Sequence, residues 1–226
     1  MLSNYAQVNV RKFLRFHQSR HRENVETGSL NISYDGVSAN KSSGRTFEVL
    51  SGKFESCRVV YPLSVGMAEA GFTSYMKTQT VMRSTLCDLR DQHVHIRYLI
   101  MDHPKRCSPR GQKACGSYYG CDLCFRRAIR STPKTPTDSR KKSKGACMVY
   151  PVSNDEHPLR SHQRHLELAQ RAHPELDGGP NDYYGVKEGV NFLIETLPDL
   201  DIVNDVIIDY MHNCLLGKVF NMTLCM

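Results

Sequence analysis

The chain has 226 residues, 40% of them hydrophobic, and a formal net charge of +7. That length and apolar content suit one sizeable core or at most two small domains. No apolar run approaches the ~20 residues of a membrane span, and the start of the chain lacks the apolar stretch of a secretory signal peptide. We therefore expect a soluble, intracellular protein with no membrane partner.

The first hundred residues alternate between helical and strand-like periodicity. The patterns predict a helix, three strands, a second helix and a fourth strand. Their expected bounds are Tyr5–His21 for the first helix, Ser29–Tyr34, Thr46–Leu50 and Cys57–Leu63 for the strands, Ala68–Gln92 for the second helix and His95–Met101 for the last strand. A turn signal, Asp35-Gly36, follows the first strand, and Asp102 follows the fourth.

This order of elements is that of an α/β protein with a ribonuclease H-like mixed sheet flanked by helices. In that arrangement three strands form an antiparallel meander, and a helical crossover returns the fourth strand parallel to the first. Asp35 and Asp102 would then end neighbouring parallel strands, where two close carboxylates favour a bound Mg²⁺ or Mn²⁺. Taken alone, each residue has a simpler interpretation, as a hairpin turn or as a cap at the end of a strand.

The nine cysteines favour free thiols in a reducing compartment over a disulfide framework. We expect most of them to be buried small apolar residues. Only Cys121 and Cys124, in the stretch YYGCDLCF, have metal-ligand spacing. Two thiolates at that spacing can hold half of a tetrahedral zinc site, so the other ligands must come from elsewhere in the chain.

The positive charge is concentrated in a basic segment, residues 125–145, where eight cations face a single acid. The cations are Arg126, Arg127, Arg130, Lys134, Arg140, Lys141, Lys142 and Lys144. Interspersed proline, serine and threonine favour an extended or disordered loop. Such a loop suits contacts with nucleic-acid phosphates, and its KKSK stretch suits nuclear import. A solvated insertion that only keeps the protein soluble is an equally good interpretation.

The second half supplies histidines that could complete a zinc site. Leu159–His173 has helical spacing and carries His162 and His165. The apolar run from 202 to 215 predicts a buried helix, with His212 facing inward. A single histidine on an apolar helix is more often a hydrogen-bonded core residue than a metal ligand.

Four strings, in order, give the chain a resemblance to a known family. They are NISYDGVSANKSS (31–43), YLIMDHPKR (98–106), GSYYGCDLC (116–124) and DYMHNCLLG (209–217). Together they resemble the catalytic core of cut-and-paste DNA transposases of the DDE/D superfamily, most closely transposase-domain proteins of the CACTA type. The resemblance covers roughly residues 25–220. It divides the chain into an N-terminal helical segment, 1–24, and a transposase-like core, 25–226.

The resemblance implies roles for individual residues. Asp35 and Asp102 match the first and second catalytic carboxylates, which bind Mg²⁺ or Mn²⁺ for two-metal cleavage and strand transfer of DNA. Asp209 and His212 match a D-x-x-H motif. Cys121 matches the first cysteine of a GCxxC knuckle.

With Cys124 and His212, Cys121 would bind a structural Zn²⁺. His162 is the first choice for the fourth ligand, with His165 and His157 as alternatives.

The third acidic residue of the family follows the D-x-x-H motif, and no Asp or Glu follows Asp209 here. We therefore expect a core that is incomplete at its C-terminus, a protein that is inactive or a relic, and little or no nicking of DNA. The expected partner is DNA, as transposon ends or non-specifically, in the nucleus, and self-association into a homo-oligomer stays open. The alternative is a non-catalytic, zinc-stabilised module that binds nucleic acid or protein.

Overall fold

The computed structural model describes residues 4–21, 28–38, 45–68, 74–131, 147–151, 156–172, 183–187 and 191–209. Thirteen elements lie in these ranges. They are β1 (Asn4–Gln7), α1 (Val10–His21), β2 (Ser29–Ser38), β3 (Thr46–Phe54), β4 (Tyr61–Ala68), α2 (Ser74–Asp91), β5 (His95–Met101), α3 (His103–Cys107), β6 (Ile129–Ser131), β7 (Cys147–Val149), α4 (His162–Arg171), α5 (Phe192–Thr196) and β8 (Val206–Ile208).

Six strands form one mixed sheet in the order β1, β4, β3, β2, β5, β8. The strands β2, β3 and β4 are an antiparallel meander, and β1 extends it by pairing antiparallel with β4. After α2 the chain returns as β5, parallel to β2, and β8 is parallel to β5. The expected α/β class, with a mixed sheet flanked by helices, is therefore confirmed. The strands β6 and β7 pair separately as a two-stranded antiparallel ribbon.

One face of the sheet carries the hydrophobic core. Along β2 the buried residues are Leu30, Ile32 and Tyr34, and they alternate with half-buried polar residues. This period of two places the apolar side chains on a single face. The helix α2 packs against β3, β4 and α5, and Phe13 of α1 joins the same core. In the described part of the chain, no helix is both long and apolar enough to cross a membrane.

The N-terminal segment contributes a strand as well as a helix. The helix predicted from Tyr5 begins at Val10, because residues 4–7 pair with the free edge of β4. Strand pairing satisfies the backbone groups of these residues, which a helix start would leave without partners.

The strand β2 does not end at the predicted Asp35-Gly36 turn. It continues to Ser38, and Asp35 pairs with Val49 of β3. Gly36 serves a close approach of side chains rather than a turn. A Cβ built on it would lie 2.0 Å from Lys105 Nζ and 2.6 Å from Glu48 Oε2. The turn prediction is wrong because glycine is favoured both in turns and within strands where other atoms approach the backbone closely.

The helix predicted over 202–215 is also wrong in its described part. Residues 202–205 form a turn, and Val206–Ile208 is the strand β8. A short run of apolar, largely β-branched residues is equally typical of a buried parallel strand, and pairing with β5 decides between the two. Residues 210–215, including His212, lie outside the described part.

Two other predicted elements are confirmed. The strand β5 has its expected bounds, His95–Met101, and α4 occupies His162–Arg171 within the expected helix. The burial expected for the cysteines is wrong in the described part of the chain. There only Cys57 and Cys107 are buried, while the remaining described cysteines are exposed or half-buried.

Candidate functional site

Asp35 and Asp102 occupy neighbouring positions on two adjacent strands of the sheet, β2 and β5. Tyr34 of β2 pairs with Met101, the last residue of the parallel strand β5, and an aspartate directly follows each of these two residues. Both aspartates are half-buried. Asp35 Oδ1 accepts the N–H of Gly36 at 2.7 Å. The backbone therefore places together the two carboxylates that the sequence singled out.

Asp102 also begins a helix. Its Oδ1 accepts the backbone N–H of Lys105 at 2.9 Å, which makes it the N-cap of α3. This bond fixes the carboxylate at the point where β5 ends, because the cap satisfies a helix N–H that has no partner within the helix.

A third aspartate continues the row. Met101 pairs with Ile208 of β8, and the N–H of Asp209 donates to Met101 O at 2.8 Å. Asp209 is therefore the residue directly after β8, as Asp102 is the residue directly after β5. Sequence reasoning assigned Asp209 to a motif only, because its strand was taken for a helix. We call Asp35, Asp102 and Asp209 the acidic row.

A buried ion pair lies beside the acidic row. Lys105 Nζ is 2.5 Å from Glu48 Oε2, and the Tyr34 hydroxyl donates to the same oxygen at 2.8 Å. The Thr46 hydroxyl donates to Glu48 Oε1 at 2.8 Å. Sequence reasoning missed this pair. The sequence did contain a signal for the burial of Glu48. It lies two residues before Leu50 on β3, and residues two apart on a strand face the same side of the sheet.

The two knuckle cysteines have the geometry of a shared ligand site. Their Sγ atoms are 3.5 Å apart, and both side chains are half-buried. Two sulfurs on one tetrahedral zinc, each with a bond of about 2.3 Å, lie roughly 3.8 Å apart. Burial raises the pKa of the Cys124 thiol, so a cation would be needed to hold it as thiolate. The pair therefore fits half of a zinc site.

Asp122, the first of the two residues between the cysteines, anchors the knuckle. Asp122 is buried and forms ion pairs at 3.2 Å with Arg106 Nη1 and with Arg110 Nη1. Arg106 also donates through Nε to Val206 O and through Nη2 to Val203 O, the latter at 3.1 Å. The same guanidinium thus connects the knuckle to β8, whose end carries Asp209.

Arg160 holds the knuckle from the other side. Its Nε donates to Cys121 O at 2.8 Å, and Nη2 donates to Tyr119 O at 2.8 Å and to Tyr184 O at 2.9 Å. Its guanidinium also lies 4.5 Å from the centre of the Phe125 ring. Desolvation lowers the pKa of Arg160, and the nearby Cys121 acts in the opposite direction. One buried cation therefore fixes three backbone carbonyls around the cysteine pair.

The candidate zinc-binding histidines have other contacts. His162 Nδ1 accepts the N–H of Ile202 at 3.2 Å and lies 4.0 Å from the carboxylate of Asp201. His165 Nε2 is 2.7 Å from Arg110 O, and its buried Nδ1 has no partner among the described residues.

His157 is half-buried, and His212 lies outside the described part. No three His, Cys, Asp or Glu side chains of the described ranges are grouped closely enough to hold a metal.

The described part of the basic segment mixes buried and exposed cations. Arg126 is buried, whereas Arg127 and Arg130 are exposed, and Arg127 lies 5.5 Å above the Tyr118 ring. Ser131 of β6 pairs with Cys147 of β7, although fifteen residues separate them in the chain. The other predicted nucleic-acid contacts, Arg140, Lys141, Lys142 and Lys144, lie outside the described part.

The acidic row, the knuckle and the exposed cations are thus carried by one α/β unit. In comparisons with known proteins, no family matches the chain, and no curated protein or solved structure is significantly similar to it.

Proposed function

We propose that the chain is a nucleic-acid-binding core derived from a DDE/D DNA transposase, with a ribonuclease H-like fold. The antiparallel meander β2, β3, β4 and the crossover through α2 to a parallel β5 support this fold. The single observation that carries the functional part is the register that sets Asp35 beside Asp102. The four transposase-like strings of the sequence are consistent with it.

The acidic row has the donor chemistry of a Mg²⁺ or Mn²⁺ site. Carboxylate oxygens are the ligands that these hard cations prefer. Asp35 and Asp102 each accept one backbone N–H through Oδ1, at 2.7 Å and 2.9 Å, which holds each carboxylate at its position. Asp209 extends the row, but within the described ranges it is not grouped closely enough with Asp35 and Asp102 to hold the same metal. A divalent cation bound there would supply the charge that activates water or a 3′-hydroxyl for attack on a DNA phosphodiester.

The metal part of the proposal is tested by Mn²⁺ titration followed by electron paramagnetic resonance. We expect weak binding to the wild-type chain and at least about tenfold weaker binding in Asp35→Ala and Asp102→Ala, because each loses one anionic ligand. Asp199→Asn, at an exposed site elsewhere, is the matched control. Equal Mn²⁺ affinity in all four proteins would remove the metal site.

Phosphodiester cleavage is tested separately with supercoiled plasmid in Mg²⁺ or Mn²⁺. With Asp35 and Asp102 as the only ligands we expect little or no nicking, since two-metal catalysis needs further anionic ligands. Robust nicking that disappears in Asp35→Ala and Asp102→Ala would contradict this expectation. It would identify a third ligand, and Asp209→Ala would be the first variant to examine.

DNA is the proposed partner, and the nucleus the proposed location, because the exposed cations suit a phosphate backbone. Binding should weaken linearly on a plot of log affinity against log salt concentration. Neutralising Arg140, Lys141, Lys142 and Lys144 should reduce that dependence. Binding that is insensitive to salt would instead favour a protein partner.

A second candidate function, a non-catalytic zinc-stabilised module, is favoured by the 3.5 Å separation of Cys121 Sγ and Cys124 Sγ. We expect about one zinc per chain in purified protein and a loss of that zinc in Cys121→Ser with Cys124→Ser. The control is Cys115→Ser with Cys147→Ser, which replaces two exposed cysteines. Zinc well below one per chain, unchanged in the knuckle variant, would remove this candidate.

A further inference from the structure

The helix α1 is strongly basic and carries no acidic residue. Its sequence, VRKFLRFHQSRH, contains four cations with permanent charge, none of which belongs to the basic segment 125–145. They are Arg11, Lys12, Arg15 and Arg20. A helix that combines four such charges without a compensating carboxylate pays a repulsive cost in isolation, so the arrangement indicates an anionic partner.

The helix divides its residues between two faces. Val10, Phe13 and His17 are buried, and Phe13 packs against Phe54 and Tyr61 of the sheet. All four cations are exposed. Among the described residues, none of them forms an ion pair with a carboxylate. Within the described ranges, the charges of α1 are therefore exposed to solvent with no carboxylate paired to them.

An aromatic side chain lies among these cations. Phe16 is 50% exposed, an unusual position for a ring of its size, and the guanidinium of Arg20 lies 5.8 Å from its centre. Lys12, Phe16 and Arg20 follow one another at intervals of four residues, which places them in one row along the helix surface. Successive members of such a row are about 6 Å apart along the axis.

We propose that the exposed face of α1 binds a single-stranded nucleic acid, with the cations on its phosphates and an unpaired base on Phe16. We call this face the α1 surface. It deepens the proposed function, since it names a contact surface for the nucleic acid. Exposed aromatic rings beside cations bind single strands because every base offers a face for stacking, whereas the bases of a duplex are already stacked.

An anionic membrane is the obvious competing partner for a basic helix, and the packing of α1 argues against it. Interfacial helices bury an apolar face among the lipids. In α1 that face is already occupied by the protein core, through Val10 and Phe13. A single Phe16 would remain for insertion, which is far less apolar area than such helices use.

The test measures binding of a fluorescent oligothymidine to the full chain, as purified and without added Mg²⁺ or Mn²⁺, over a range of salt concentrations. The variant is Arg11→Gln with Arg15→Gln and Arg20→Gln. Its matched control is Lys53→Gln with Arg171→Gln and Lys187→Gln, which removes equal charge from exposed sites elsewhere. For single strands each lost phosphate contact reduces the slope of log affinity against log salt by about 0.7, so three lost contacts reduce it by about 2. The control should change it far less.

Phe16→Ala separates stacking from charge. We expect it to weaken oligothymidine binding at least about fivefold while leaving duplex binding within about twofold, because stacking on one base contributes on the order of 1 kcal/mol or more. Equal losses for single strands and duplex would overturn the proposed role of Phe16. Wild-type binding to vesicles with 30% phosphatidylserine that exceeds oligothymidine binding would overturn the choice of partner.

The outcomes also separate this inference from the proposed function. If the wild-type chain binds oligothymidine and the α1 variant behaves as the control does, the proposal that the α1 surface binds nucleic acid is wrong. The proposal that the chain binds nucleic acid then still holds. If the wild-type chain binds neither single strands nor duplex at low salt, both are wrong. Because no Mg²⁺ or Mn²⁺ is added, neither result depends on the acidic row.

Discussion

At the scale of single residues, the knuckle reverses the usual pattern of burial, because its charged residue is buried and its apolar residue is exposed. Asp122 is 1% exposed, while its apolar neighbour Leu123 is 61% exposed. A buried carboxylate is stable only when its charge is compensated, and Arg106 and Arg110 provide that compensation. Desolvation lowers the pKa of Arg110 to about 10, and Asp122 partly offsets that effect.

Replacing Asp122 should be strongly destabilising. Asp122→Asn removes the anion and leaves Arg106 and Arg110 buried together, so we expect a loss of about 3 to 5 kcal/mol in the free energy of unfolding. Urea denaturation measures this loss. The control is Glu195→Gln, at an exposed ion pair with Arg83, which should cost less than about 1 kcal/mol. Similar small effects in both variants would contradict the anchoring role of Asp122.

At the scale of elements, the knuckle depends on close packing of backbone. A Cβ on Gly120 would lie 2.2 Å from Ala114 O and 2.6 Å from Cys115 Cα, which only a glycine avoids. The N–H of Gly120 donates to the Tyr150 hydroxyl at 2.7 Å, and that hydroxyl donates to Ser117 O at 2.9 Å. The glycine of the GCxxC motif thus allows the backbone to pack closely at the residue that precedes Cys121.

Two glycine substitutions separate the steric effect at Gly120 from the loss of backbone freedom that any glycine substitution causes. Gly120→Ala should lower the free energy of unfolding by roughly 1 to 3 kcal/mol or more, because the obstructing atoms belong to backbone. Gly116→Ala is the control, since a Cβ there meets no atom within 4 Å. It should change stability by less than about 1 kcal/mol. Thermal denaturation of the two variants in parallel makes the comparison, and equal destabilisation would count against the close approach.

At the scale of the whole molecule, a buried cluster of charges links the knuckle, α3, α4 and β8. His165 of α4 lies in this cluster, and burial lowers its pKa from an ordinary 6.5 to about 3, with Arg110, Arg160 and His162 acting in the same direction. The Nε2 contact to Arg110 O is then a donated bond from a neutral ring. Folding therefore opposes protonation of this histidine.

The stability of the whole chain should consequently fall in mild acid. Between pH 6.5 and about 3 the unfolded chain binds a proton on His165 that the folded chain does not bind. The free energy of unfolding then decreases as pH falls, at up to about 1.4 kcal/mol per pH unit for this group. Urea denaturation at pH 7, 6 and 5 measures the slope. It should be smaller in His165→Gln and unchanged in Gln170→Ala on the same helix, and identical slopes in all three would contradict the assignment.

Much of the fold could be predicted from local pattern. The alternation in β2, the apolar run of strand length in β5 and the helical spacing in α4 each predicted the element that the structure contains, because these signals are local and do not depend on distant residues. The strand β8 could not be predicted in this way, since its apolar run fits a helix or a buried strand. Its assignment depends on a pairing with β5 more than a hundred residues away.

The sequence by itself determined the residue types of the candidate sites: the aspartates Asp35 and Asp102, the cysteine pair and the clusters of basic residues. Only the tertiary structure decided which of them meet. Strand register added Asp209 to the row, the packing of Gly36 against Lys105 removed a predicted turn, and a buried Asp122 tied the knuckle to β8. These decisions depend on contacts between residues distant in the chain, which local composition and periodicity do not encode.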